Sequence, residues 1–273
     1  MIYAGVIAYN EALLIEASLR SIYEYVDEII VIDGSPKGPS TDATAKIAAS
    51  IGPKIKVTSG TFNNPSSIDH KLIQRSVYID RMEKSCDNWC ILHDADEVWD
   101  DENIQRLITY MRNAPKETLL FSYQWLHFIA DCWHTIHGGR WTEPREIGAF
   151  RLLPSIHYIS HHRIGINIEG KETHFIDFAK QPPPAHIILE DVRFFHYGHA
   201  QTKEKTEAKA HFYFDRDEQC REGYGITEWG RYREEYFLPW LKNRLLLPNV
   251  VPYDGPHPKW VQSLIGTFWN KNE

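Results

Sequence analysis

The chain has 273 residues, with 30 Lys and Arg against 37 Asp and Glu, a formal net charge of −7. That balance argues against a broad nucleic-acid footprint or a generally basic membrane-binding surface. Hydrophobic residues at 42% and charged residues at 25% exclude wholesale disorder and leave material for a substantial core.

The N-terminal stretch Met1-Ile2-Tyr3-Ala4-Gly5-Val6-Ile7-Ala8 lacks a basic leader and a cleavage site and is too short to span a membrane, so it reads as a first strand. Asn10 is placed to cap a helix whose apolar face is Leu13, Leu14, Ala17, Leu19 and Ile22. A β-branched run at 28–33 predicts a second strand ending on Asp33. The loop 34–40 holds two Gly and two Pro, and Ser40 or Thr41 is expected to cap a helix to about residue 50. A short strand is predicted at 55–58, a helix over about 68–85, and a strand at 89–92 that runs into His93-Asp94-Ala95-Asp96. Strands alternating with helices predict a parallel sheet covered on both faces, with ligands at the carboxyl ends of its strands.

After about residue 115 the rhythm changes. A strand at 118–126 precedes a stretch rich in Trp, His, Gly and Pro. Strands at 187–189 and 192–195, a polar helix from 202 to about 217, and an aromatic-rich tail follow. Four cysteines (Cys86, Cys90, Cys132, Cys220) are too few and too scattered for a disulfide scaffold. A zinc site at Cys86, Cys90 and His93 lacks a second ligand pair. With no apolar run of about eighteen residues, the expectation is a soluble, reduced, cytoplasmic protein.

The sharpest feature is Trp89-Cys90-Ile91-Leu92-His93-Asp94-Ala95-Asp96-Glu97-Val98-Trp99. An isolated Asp-x-Asp is commonly a solvated turn. Here an apolar strand delivers the two carboxylates to a sheet edge and Val98-Trp99 buries the chain again. Hard divalent cations take oxygen ligands and keep positions open for phosphate oxygens. A cation on a diphosphate neutralises the charge that builds as it leaves.

Several segments in register resemble the family 2 nucleotide-sugar glycosyltransferases. They are Ala8-Tyr9-Asn10-Glu11, Glu28-Ile29-Ile30-Val31-Ile32-Asp33-Gly34-Ser35, Ser40-Thr41-Asp42-Ala43-Thr44, Gln74-Arg75-Ser76 and Leu92-His93-Asp94-Ala95-Asp96-Glu97. The branch they resemble most is that of the lipopolysaccharide-core glucosyltransferases, which carry a similar Asp-Ala-Asp-Glu. The likeness continues more loosely through Gly138-Gly139-Arg140-Trp141, Phe150-Arg151-Leu152-Leu153 and Phe195-His196-Tyr197-Gly198-His199. It implies an α/β GT-A fold: a Rossmann-like, mostly parallel sheet with helices on both faces. Residues 1–217 would form the catalytic domain, with 1–115 binding nucleotide and 116–217 forming the acceptor side. Residues 218–273 would be an extension packed on it.

The same resemblance implies roles. Tyr9, Glu11 and Asp33 would line the nucleobase and ribose pocket, and Arg75 would lie near the diphosphate. Asp94 would sit near the ribose or the metal, and Asp96 would ligate the metal. His196, ending an apolar strand, would complete the metal sphere, with His199 as the alternative; an imidazole ligand favours Mn2+ over Mg2+. The donor would be a nucleoside-diphosphate sugar, a UDP-sugar first. Inverting transfer needs a base for the acceptor hydroxyl. The branch places a His-Glu pair where this chain has Ser160-His161-His162-Arg163. His162, Glu143, Asp191 and Glu169 are therefore candidates, and a retaining mechanism without such a base stays open. Trp125, His127, Trp133, His134, His137 and Trp141 would face the acceptor: a glycan, lipid-linked sugar, protein or modified nucleobase. Two rivals remain, a nucleotidyltransferase on a similar sheet and a degenerate carbohydrate-binding module.

Overall fold

The structure is a computed structural model that describes residues 1–63, 70–138, 143–160, 163–168, 171–174, 185–202, 204–205, 208 and 249–267. Strands β1 (Ile2–Ala8), β2 (Glu28–Ser35), β3 (Ile55–Thr61) and β4 (Ser85–Asp94) form a parallel block in the order β4-β1-β2-β3. Ile2, Ala4, Val6 and Ala8 face one core and Tyr3 the other. Both faces of β1 are therefore buried, which is why it reads as an apolar run and not as an alternation.

One face is covered by α1 (Ile15–Tyr23), α2 (Thr44–Ser50) and α4 (Asp101–Asn113), through Leu19, Ile22, Ala48, Leu107 and Met111. The other is covered by α3 (His70–Asp80), which approaches β1 so closely that a Cβ on Gly5 would meet the Tyr78 ring at 2.5 Å. After the two-residue β5 (Glu97–Val98), the sheet continues through β6 (Leu120–Ile129), β7 (His134–Ile136) and β8 (Arg145–Leu152). β8 is antiparallel to both β4 and β6. A three-stranded sheet of β9 (His157–Ser160), β10 (Arg163–Ile168) and β11 (Lys171–His174) packs beside α3 through Tyr158. β12 (His186–His199) lies parallel to β6 and antiparallel to β5. The result is the mostly parallel, helix-flanked sheet of the GT-A class.

Several expectations are corrected. α1 starts at Ile15, and Asn10 does not cap it. Asn10 sits at φ +53°, and its side chain instead accepts from Thr41 N at 2.8 Å, tying two loops together. Ser40 is spent on Asp33, so α2 begins later, where Asp42 accepts from Thr44 N at 2.9 Å. α3 ends at Asp80 and β4 begins at Ser85, four residues before the expected strand. The two short strands expected near 190 are one strand with an irregularity between Leu189 and Arg193. Most of the polar helix expected at 202–217 lies outside the described residues, as do residues 218–248.

Within the tail, β13 (Val250–Pro252) pairs with β7. A 3-10 turn (Lys259–Val261) leads into α5 (Gln262–Thr267). Val261 and Trp260 pack with Leu14, Ala17, Phe128 and Tyr197. Cys86 is exposed, and Cys90 and Cys132 are buried. Among the described residues no helix is long and apolar enough to cross a membrane.

Candidate active site

Parallel register sets the site. Ala8 pairs with Asp33 and Ile7 with Asp94, so the two acids flank the end of β1. Asp33 is fully buried and accepts from the hydroxyl and the backbone N–H of Ser40. Ser40 Oγ in turn accepts from Asn10 N at 2.7 Å. Glu11, also buried, accepts from Gln201 Nε2 at 3.0 Å and pairs with Lys205 Nζ at 3.5 Å. The Asp33–Ser40–Asn10 chain thus ties Asp33 to the turn that carries Tyr9 and Glu11, and Gln201 and Lys205, which follow β12, contact Glu11.

Asp94 sits between two guanidiniums. Arg75 Nη2 lies 3.3 Å from its Oδ1, and Arg145 Nη2 lies 3.4 Å from its Oδ2. The side chains of Arg75 and Arg145 are 4% and 9% exposed while that of Asp94 is 28% exposed, so the carboxylate is the part that faces outward. Burial opposes its ionisation, but the two guanidiniums outweigh burial and hold Asp94 down to about 2. Beneath it, Arg145 Nη1 reaches both Glu97 oxygens at 2.6 and 2.7 Å, and Glu97 accepts from Asp94 N at 3.0 Å. His93 contacts Ser18 Oγ at 2.8 Å and lies 3.5 Å from Glu97. Burial, and then Arg145, lower its pKa to about 4, so it is neutral.

Asp96 belongs to a different group. β5 pairs with β12 through His196↔Glu97, and Tyr197 N donates to Asp96 O at 2.9 Å. This stitch brings His196, a hundred residues downstream, beside the acidic motif: Nε2 stands 3.6 Å from Asp96 Oδ1. A Cβ on Gly198 would lie 2.6 Å from Asp96 Oδ2 and 2.8 Å from His196 Nε2, so the glycine lets both side chains pack close against its backbone. One carboxylate oxygen and one imidazole nitrogen at this separation suit a cation with ligand distances of about 2.0–2.2 Å. Among the described residues no group of three or more His, Cys, Asp or Glu is disposed to hold a metal; the pair would supply two ligands. The His199 ring lies 5.7 Å from that of His196.

Three residues were not anticipated in these places. His127 was expected to face the acceptor. It is instead buried, with Nδ1 2.9 Å from His196 Nδ1, because His196 and His127 are register partners across β12 and β6. Arg145 and Gly198 carry no local signal, since each matters only through strands paired over long range.

Of the candidate bases, Glu143 is exposed, and its carbonyl accepts from Trp125 Nε1 at 2.7 Å. The Trp125 ring lies 4.0 Å from that of His127. Asp191 is not brought to the site: it accepts from Tyr110 of α4 at 3.0 Å, because the irregularity in β12 turns it toward that helix. His162, His161, Glu169 and Trp141 lie outside the described residues. His134 pairs with Asp131 at 2.9 Å, near the β7 edge.

A GT-A sheet carrying acids at the carboxyl ends of β1, β2 and β4 defines a glycosyltransferase. The glycosyl transferase family 2 model matches residues 3–174, and the chain belongs to that family. No curated protein sequence matches it. Among solved structures it is similar to the glucosyl-3-phosphoglycerate synthase of Mycobacterium tuberculosis in complex with Mn2+, UDP and phosphoglyceric acid. The identity is 18%, over 46% of this chain and 43% of that one, with a TM-score of 0.34. It is also similar to residues 1–349 of S. aureus TarS, with 12% identity over 71% of this chain and 60% of that one and a TM-score of 0.46. The chain therefore spans less than two thirds of either structure.

Proposed function

We propose that this chain moves a sugar from a nucleoside-diphosphate sugar to an acceptor hydroxyl, with a divalent cation held by Asp96 and His196. The observation that carries the reading is the 3.6 Å approach of His196 Nε2 to Asp96 Oδ1, with both side chains packed against Gly198. The bound cation would neutralise charge on the departing diphosphate. An imidazole in the ligand set favours Mn2+ over Mg2+.

The remaining roles divide the acidic motif. Asp94, ionised and facing outward over two guanidiniums, accepts a ribose hydroxyl. Arg75, whose charge is secured by Asp94, lies beside the diphosphate path. Asp33 and Glu11 accept from the base or ribose once Ser40, Gln201 and Lys205 yield to the ligand, and Tyr9 lines the same pocket. Of the candidate bases for an inverting transfer, Glu143 is favoured. Its backbone is anchored on Trp125 beside the histidine pair, and its side chain is open to solvent and to an acceptor. A UDP-sugar is the first donor to test, and the acidic motif is similar to that of the lipopolysaccharide-core branch.

A panel of nucleotide sugars screened by thermal shift with and without Mn2+ tests the reading. One UDP-sugar is expected to raise the midpoint only when Mn2+ is present. No rise with any nucleotide sugar in Mn2+, or an equal rise without cation, contradicts it.

A further inference from the structure

The two histidines at the end of β6 and β12 constrain one another. A neutral imidazole has one N–H and one lone pair, and the Nδ1 atoms of His127 and His196 stand 2.9 Å apart. At that distance one nitrogen carries a proton and the other accepts it, since two N–H groups meeting head-on would clash. Two neutral arrangements satisfy this. In the first, His127 donates, and the His196 proton sits on Nε2, pointing toward Asp96. In the second, His196 donates from Nδ1, and its Nε2 lone pair is bare and aimed at Asp96. Only the second can ligate a cation.

We propose that His127 is a positioning residue that accepts the Nδ1–H of His196 and so presents the His196 Nε2 lone pair beside Asp96. This rests on the reading of His196 as a cation ligand. Metal-binding histidines usually donate their second nitrogen to a carboxylate or carbonyl, which can only accept. A histidine in that place can also donate. Without a cation, the Asp96 carboxylate favours an N–H on His196 Nε2, and His127 donates. With a cation, the lone pair is favoured, and His127 accepts. Each ring keeps one proton throughout: His196 exchanges Nε2–H for Nδ1–H, and His127 exchanges Nδ1–H for Nε2–H. The exchange changes no net charge.

The fold fixes His127 for this work. It is 2% exposed, is paired with His196 in the β6–β12 register, and meets the His196 ring edge-on with centroids 4.7 Å apart. Trp125 packs on its ring, and the Trp125 indole is itself pinned to the Glu143 carbonyl.

The test reads Mn2+ binding directly, by the electron paramagnetic resonance signal of free Mn2+ titrated with the full chain. His127→Phe keeps a ring but has no acceptor, and its Kd is expected to rise about 10–100-fold. His127→Asn places an amide oxygen near the former Nδ1 and is expected to stay within a few-fold of the parent protein. His196→Ala and Asp96→Ala should lose binding. If those two bind like the parent, the cation-site reading fails. If they lose binding but His127→Phe does not, or if His127→Asn fails to rescue, the positioning role is overturned. Should the His127 variants not fold, imidazole 15N shifts of the parent protein loaded with Zn2+ decide. A proton on His196 Nδ1 is expected, and a proton on His127 Nδ1 overturns the proposal.

Discussion

Arg145 Nη1 lies 2.6 and 2.7 Å from the two carboxylate oxygens of Glu97, with both side chains buried beneath the half-buried carboxylate of Asp94. One guanidinium thus braces two acids of the same motif. Burial alone would depress the Arg145 pKa, but Glu97 and then Asp94 more than compensate, and the group stays charged.

Burial already pushes Glu97 up to about 8 against the pull of Arg145, so in Arg145→Met it takes up a proton, and the expected destabilisation is about 1–3 kcal/mol, the cost of a buried polar group left without its partner. The urea midpoint would fall with little change in slope. A loss below about 1 kcal/mol would mean that Glu97 is satisfied by other means.

Much of this arrangement is legible in the residues, and the part that is not has a physical cause. The strands at 2–8 and 28–33 announce themselves because a parallel strand buried on both faces is apolar throughout. The acids Asp33, Asp94 and Asp96 follow from strand ends. α4 passes unread although its signals are local: Asp100 accepts from Asn103 N at 2.7 Å, and Ile104, Leu107, Ile108 and Met111 form its buried stripe. Arg145 is a different matter. Its partner is 48 residues away, and nothing near Pro144-Arg145 says that β8 will run antiparallel between β4 and β6. His127 fails for a related reason: a strand histidine shows no preference for ligand or lining until the β6–β12 register places it opposite His196.

Gly198→Ala probes the packing of Asp96 and His196. The new Cβ would press on Asp96 Oδ2 and His196 at 2.6–2.8 Å, so one of the two must move. A displacement approaching 1 Å at a reacting centre costs about 100-fold in rate. That loss in kcat is expected with the circular dichroism spectrum and Tm nearly unchanged. A fully active variant would show that the separation of Asp96 and His196 is not critical.

Asp94 predicts an acid-side change in stability. Its pKa is depressed to about 2 from the ordinary 3.8. The stabilisation is therefore fully present above about pH 4 and is lost as pH falls toward 2. The loss is on the order of 2 kcal/mol, carried by Arg75 and Arg145. Urea midpoints measured from pH 5 to pH 2 should fall less steeply in Asp94→Asn than in the parent chain. Parallel curves would assign the depression to some other group.

The central claim is that Asp96 and His196 hold the cation that lets a nucleoside diphosphate leave. The most direct measurement is nucleoside-diphosphate release from a nucleotide-sugar panel, comparing the parent chain with Asp96→Ala, with Mn2+ and with excess chelator. Release that requires Mn2+, and is abolished in a folded Asp96→Ala protein, is the predicted result. Undiminished release by that variant, or by the parent chain in chelator, would contradict it.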